Sequence, residues 1–319
     1  MSTDNDFARH TLDRAAHRRR HPEWLVQRLR DPSTRFVPVA GRRHLVRGAS
    51  GESPEPRLLT PVEAEPLLPE GEVVFLAHEG PAGTQQAAEP AARFALLLPE
   101  NHPQALELGE WQGLRRLAPL LDDPTAALLA TARGYAHWHH RHRFCGVCGA
   151  ATESLEAGHL RRCSDDGCGT SHFPRTDPAV IVLVTAGEGA REKALLARAA
   201  SWPEGVHSTL AGFVEPGESL EAAVAREVLE ETGVELDRVR YHSSQPWPFP
   251  GSIMIGFTAR AAREADPAAL RLDPEEIEQA RWLTRSELAR ERADGQVQLP
   301  SAISIARRLI EGWIDGGAG

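Results

Sequence analysis

Three glutamates stand close enough to act on one ligand: Glu227, Glu230 and Glu231, within the run Gly212 to Val234 (GFVEPGESLEAAVAREVLEETGV). On a helix turning about 100° per residue, Glu230 falls about 60° to one side of Glu227 and Glu231 about 40° to the other, so the three carboxylates share a face. Ala222, Ala225 and Leu229 fall on the opposite side, which this reading predicts to be the packed one. Like charges stacked at i,i+3 and i,i+4 destabilise a helix unless a cation neutralises them. Hard carboxylate oxygens favour a hard cation, Mg2+ or Mn2+. Such an ion keeps positions open for water and phosphate oxygens, which points to hydrolysis of a diphosphate. Glu218, in the loop before the helix, is placed to pair with Arg226 and tie loop to helix.

The four cysteines form a second constellation. Cys145-Gly-Val-Cys148 and Cys163-Ser-Asp-Asp-Gly-Cys168 are two short pairs in one stretch, the spacing by which two turns converge on one tetrahedral Zn2+. Four thiolates leave no open coordination position, so the ion is structural. His137, His139, His140 and His142 precede the first pair and read as a solvated helix end with Trp138 turned inward.

The elements around these groups follow from pattern. Ala179 to Val184 (AVIVLV) reads as a buried strand, Ser219 to Glu231 as a helix stopped by Gly233, Ile253 to Ala259 as a strand, and Ala302 to Ile314 as a closing amphipathic helix. Upstream, Glu72 to Ala77 and Phe94 to Leu98 read as strands, Phe36 to Val39 as an edge strand because of Pro38, and Ala126 to His137 as a helix. Arg47 to Pro56 and Glu79 to Ala92 read as breaks, and no internal repeat is visible. This predicts an α+β domain over 1–142, a zinc ribbon over 143–175 and an α/β domain over 176–319. The chain is 41% hydrophobic with a net charge of −9, which excludes bulk coating of nucleic acid. No apolar run approaches the roughly 20 residues of a membrane span, and the polar N-terminal run is no secretory signal, so the sequence reads as cytoplasmic. Arg18, Arg19, Arg20, Arg141 and Arg143 are the candidates for a local basic patch.

Gly212, Glu218, Arg226, Glu227, Glu230, Glu231 and Gly233, with apolar Val228 and Val234, match every fixed place of the Nudix box. Ten or so residues later comes Ser244 to Ser252 (SQPWPFPGS), where three alternating prolines stiffen a loop bearing Trp247 and Phe249. With the cysteine pairs and His172 to Pro178 (HFPRTDP), these motifs resemble the NADH pyrophosphatase subfamily of Nudix hydrolases over about 109–313. The resemblance implies an α/β/α sandwich with a mixed sheet, preceded by a zinc ribbon and an N-terminal α+β domain. It implies Mg2+ or Mn2+ held by Glu227, Glu230, Glu231, the Ala211 carbonyl and a downstream acid at Glu276, beside Glu275. It puts ring-stacking residues at Phe173 and Phe213, and further substrate contacts at Gln245, Trp247, Ser252, Met254 and Ala306. The implied reaction splits NAD(H) into the nicotinamide mononucleotide and AMP, or removes NAD caps from RNA, in a homodimer. Two alternatives stand beside it: a Nudix hydrolase of ADP-ribose type, and a zinc-ribbon nucleic-acid-binding regulator with an inactive Nudix fold.

Overall fold

The computed structural model describes residues 5–8, 12–48, 54–80 and 90–316; residues 49–53 and 81–89, inside the two breaks read from the sequence, lie outside these. The chain divides into two units, one holding 177–246 and 252–316 with the segment ending at Asp6, the other holding 7–176 and 247–251.

The N-terminal unit begins with α1 (Pro22–Arg30), followed by β1 (Arg35–Ala40), β2 (Arg43–Arg47), β3 (Glu55–Pro56), α2 (Pro61–Ala64), β4 (Glu72–His78), β5 (Ala92–Leu98), α3 (Pro103–Glu107), β6 (Glu110–Gly113), α4 (Leu114–Leu117) and α5 (Asp123–Arg141). Its strands form one sheet in the order β3-β2-β1-β5-β4, with β6 also on β2. The β1–β5 pair is parallel. Phe36, Phe94 and Phe75 fill the core, Phe36 stacked on Phe94 with centroids 5.8 Å apart. Contrary to the edge-strand expectation, β1 is central. Pro38 is tolerated because its missing donor falls between the Leu59 bridge to Phe36 and the hairpin pairing that starts at Val39.

The cysteine-bearing segment adds β7 (Thr152–Leu155), β8 (Leu160–Cys163) and β9 (Ser171–His172) in a small antiparallel sheet. A buried polar network fastens it to the preceding sheet and helix. Arg161 bonds Thr152 Oγ1 at 2.7 Å and Glu72 at 2.6 Å, and His139 Nδ1 reaches the other Glu72 oxygen at 2.6 Å. His139 is therefore not part of a solvated helix end: it is buried, while Trp138 does turn inward. Burial alone would raise the Glu72 carboxyl, but hydrogen bonds from His139 and Arg161 bring it down to about 2.

The C-terminal unit comprises β10 (Asp177–Ala186), β11 (Lys193–Arg198), β12 (Leu210–Phe213), α6 (Leu220–Thr232), β13 (Leu236–Trp247), β14 (Ser252–Ala261), β15 (Gln279–Thr284), α7 (Arg285–Ala293) and α8 (Ile305–Ile314). The sheet runs β13-β14-β10-β11-β15, with β10–β14 parallel and the short β12 on β10. The central strand reads as a continuous apolar run because both faces are covered. Val180, Val182 and Val184 pack with α6, while Ile181 and Leu183 pack with α7 and α8. This is the α/β/α sandwich on a mixed sheet that the motifs imply.

The two larger sheets share one plan. Strands β4-β5-β1-β2-β6 and β13-β14-β10-β11-β15 each centre on a parallel pair flanked by an antiparallel hairpin. The sequence shows no internal repeat; the repeat lies in strand order, which side-chain identity does not record.

Candidate active site and zinc ribbon

Helix α6 is set by its ends. Ser219 caps it by accepting the Ala222 amide at 3.2 Å, and Gly233, at φ 72°, closes it in the left-handed conformation. The helix does not bury the side expected from the sequence. Ala222 and Ala225 are exposed and Leu229 is half exposed, whereas Ala223, Val224 and Val228 pack on the sheet. The carboxylates thus sit at the rim of the packed face. Glu231 is 5% exposed. Glu227 lies so close to β12 that a Cβ on Gly212 would overlap its carboxylate. Glu230 points outward, its side chain largely exposed.

Arg226 organises the entry loop. Its Nε and Nη2 grip Glu218 at 2.6 and 3.0 Å, its Nη1 reaches Glu227 at 2.9 Å and Glu230 at 3.1 Å, and its Nη2 donates to the Phe213 carbonyl at 2.9 Å. The Arg226 pair holds the Glu218 carboxyl down at about 2. This is the loop-to-helix tie the spacing suggests.

The downstream acid is delivered by main-chain bonds. The amides of Arg271 and Asp273 donate to the Thr232 and Glu231 carbonyls at the end of α6, and Ile277, buried beside α6, closes a turn onto the Asp273 carbonyl. That strap brings Glu276 within electrostatic reach of both Glu227 and Glu231. Burial raises the Glu227 carboxyl, with Glu276 and Glu230 adding to it against the pull of Arg226. Burial pushes Glu231 to about 8, helped by Glu227, Glu276 and Asp273. Its Oε2 is buried without a hydrogen-bond partner. An orphaned carboxylate oxygen among three other acids is the donor set a divalent cation requires. Asp273 is a further acid here that the box spacing does not reveal; its signal is its place three residues before Glu276.

β12 supplies the remaining donor. The Val214 amide bonds the Pro178 carbonyl on β10, and the alternation of an antiparallel strand turns the polar groups of Ala211 and Phe213 the other way. Phe213 gives its carbonyl to Arg226, and the Ala211 carbonyl faces the open side of the strand. The Phe213 ring is 61% exposed. In register across the sheet, Ala179 stands between Phe213 and Met254, and Ser252 lies opposite Asp177 at the same end. Met254 and Ala306 share the apolar cluster under α8. Gln245 departs from the expectation of a ligand contact. It is wholly buried, its Nε2 bonding the Ile303 carbonyl at 2.7 Å and its Oε1 accepting the Ile305 amide at 2.8 Å. It anchors the first turn of α8 instead.

In the other unit, Phe173 is 59% exposed, just after β9. Trp247 and Phe249 meet edge to face at 5.0 Å, with Phe7 edge-on to both and the Arg115 guanidinium 4.6 Å from the Phe249 centroid. The rings are held rigidly, as the prolines suggest, by partners more than a hundred residues distant in sequence. In the ribbon, the four sulfurs lie within 4.8 Å of one another. Cys145–Cys168 and Cys148–Cys163 are 3.8 and 3.3 Å apart, far beyond a disulfide bond of about 2.05 Å. Zn–S bonds of about 2.3 Å give a tetrahedral edge of about 3.8 Å, so the thiols fit zinc. Hydrogen bonds with Thr170 lower the Cys168 thiol. His172 Nε2, 3.3 Å from Cys145 Sγ, is a neighbour that the cysteine spacing alone does not reveal. Of the basic residues noted earlier, Arg20 pairs with Glu156 at 3.1 Å.

Comparison with known proteins agrees with this geometry. Residues 175–301 match the NUDIX domain, 140–173 the NADH pyrophosphatase zinc ribbon domain, and 33–138 the NADH pyrophosphatase-like rudimentary NUDIX domain. The last accounts for the repeated sheet plan. The chain is 43% identical over 224 residues to the NAD-capped RNA hydrolase NudC of Stutzerimonas stutzeri, covering 70% of this chain and 73% of the relative. It is 34% identical over 350 residues to the NAD-capped RNA hydrolase NUDT12 of Homo sapiens, covering 98% of this chain and 73% of the relative. With the glutamate-bearing helix, the strap and the zinc ribbon all in place, the chain belongs to the NADH pyrophosphatase family of Nudix hydrolases.

Proposed function

We propose that the protein hydrolyses the diphosphate of NAD(H) to nicotinamide mononucleotide and AMP, and that it removes NAD caps from the 5′ ends of RNA by the same bond cleavage. The observation that carries the reading is the buried Glu231 carboxylate, one of its oxygens without a hydrogen-bond partner, within electrostatic reach of Glu227 and Glu276. Its relatives are named for cap hydrolysis, which supports the RNA arm.

Glu227, Glu230, Glu231 and Glu276, with the Ala211 carbonyl, would hold Mg2+ or Mn2+; when bound, the cation grips diphosphate oxygens and makes water acidic enough to attack phosphorus at neutral pH. The protein's own part is positioning. Arg226 fixes Glu227 and the β12 end together, so that acids and carbonyl stay in one frame. Phe213 offers a flat exposed ring beside them for a base or nicotinamide. Ser252, Met254 and Ala306 line the α8 side of the same sheet end, Gln245 holds α8 there, and Phe173 and Trp247 are the further stacking surfaces. The four closely spaced free thiols suit a reducing compartment such as the cytoplasm, and the resemblance favours a homodimer. No helix of the described residues is long and apolar enough to cross a membrane.

The test is a panel of NADH, NAD+, ADP-ribose and NAD-capped RNA with Mg2+ or Mn2+, run beside light scattering for the dimer. AMP release from NADH and cap removal from RNA are expected. Cleavage of ADP-ribose with NADH untouched would replace the reading by the ADP-ribose one.

A further inference from the structure

The N-terminal unit gathers like charge of the opposite sign. Arg42 stands in the turn between β1 and β2, Arg115 in α4 and Arg133 in α5. The Arg115 and Arg133 guanidinium carbons lie 4.6 and 5.2 Å from the Phe249 ring centroid. The two cations are therefore no farther apart than about 10 Å, the screening length near 0.1 M salt. Arg133 Nε donates to the Pro248 carbonyl at 2.7 Å, and its Nη1 donates to the Arg42 carbonyl. Burial pushes the Arg133 guanidinium downward, and repulsion from Arg42 and Arg115 adds to it. Among the described residues, no ion pair joins any of the three to a carboxylate. Arg161, Arg226 and Arg20, by contrast, each have an acid partner. His44, buried nearby and kept neutral, brings no compensating charge.

Uncompensated repulsion of this kind costs stability unless an anion relieves it, as with the acid cluster in reverse. In a chain of net charge −9 it is a local exception. Arg133 is spent on carbonyls and acts as the fixed post, while Arg42 and Arg115 are exposed. Guanidinium forks suit phosphate oxygens, and phosphate contacts hold a nucleic acid strand without reading its sequence. The loop they clamp, 247–251, also carries Trp247, a proposed substrate contact.

We infer that Arg42 and Arg115, gathered around the fixed Arg133, bind backbone phosphates of the RNA that follows the cap. This rests on the cap-hydrolysis reading above. Free NAD(H) carries only its own diphosphate, so the cluster should act on RNA substrates alone.

The experiment uses the full-length zinc-loaded protein with two substrates, NAD+ and a short NAD-capped RNA. Labelled uncapped RNA, followed by fluorescence anisotropy, reports binding apart from catalysis. Arg42→Glu should raise KM for the capped RNA about five- to tenfold, leaving kcat and all NAD+ kinetics unchanged. Arg42→Gln should lower the slope of log affinity against log salt by about 0.7. Arg115→Lys, which keeps the charge but loses the fork, should bind RNA less tightly than the parent and more tightly than Arg115→Gln. Parallel losses with NAD+ and capped RNA would make the arginines a mere clamp on the loop and overturn the inference. So would unchanged RNA affinity in Arg42→Glu. Should the parent cleave neither substrate, the functional reading falls, while the anisotropy arm still decides the cluster.

Discussion

Glu231 is buried where its charge is unwelcome, and replacing it with glutamine should separate stability from catalysis. Its carboxyl moves from 4.5 to about 8 in the folded protein without divalent cation. Between those pH values the folded state binds more protons than the unfolded chain, so stability falls as pH rises through that window. At about 1.4 kcal/mol per pKa unit, the loss approaches roughly 5 kcal/mol well above pH 8. Glu231→Gln has no proton to lose. In buffer free of Mg2+ and Mn2+ but with zinc retained, its advantage over the parent should grow from near zero at pH 5 to about 4 kcal/mol at pH 8.5. At about 2–4 °C per kcal/mol this is a gap in Tm on the order of 10 °C, readable by thermal unfolding at a series of pH values. Adding Mn2+ should raise the parent's Tm and leave the variant's nearly unchanged, while the variant loses activity by roughly a hundredfold or more. If the two proteins melt in parallel across the pH range without Mn2+, the buried-charge argument is wrong.

Three other substitutions probe the supports of the site. Gly212→Ala should push the Glu227 carboxylate aside, lowering kcat/KM on the order of a hundredfold and weakening Mn2+ binding by calorimetry, with far-UV circular dichroism intact. Arg226→Lys removes the fork onto Glu218 and the bond to the Phe213 carbonyl; we expect a stability loss of about 1–3 kcal/mol by urea unfolding and a tenfold or greater fall in kcat/KM. Cys163→Ser should lower zinc content by atomic absorption and expose 143–175 to proteolysis.

The candidate groups were legible in the sequence wherever their spacing is short. The cysteine pairs and the glutamates of α6 are read by counting, because two turns and one helix bring them together without help from distant residues. The packed side of α6 was not legible. Amphipathic reasoning sends charged residues outward, yet Glu231 lies inside. Gln245 departs for a related reason: the resemblance puts it among the substrate contacts, but its amide answers main-chain groups at 303–305. Pro38 suggested an edge because a strand is read alone; only the placement of Leu59 shows a gap in the ladder where proline fits. His139 found a partner in Glu72, a pairing of distant positions that periodicity cannot supply.

The doubled sheet plan has a consequence for how the two halves tolerate change. Where the C-terminal sheet is crossed by a helix crowded with acids, the described part of the N-terminal connection holds the short α2, and its Glu63 is already consumed by the Thr60 cap and Arg57. Among the described residues of that half, α2 offers no second row of carboxylates to keep in register. That half is free to drift wherever its aromatic core, the Glu72 lock and the arginines beside Phe249 are spared, and variation among natural versions should concentrate there.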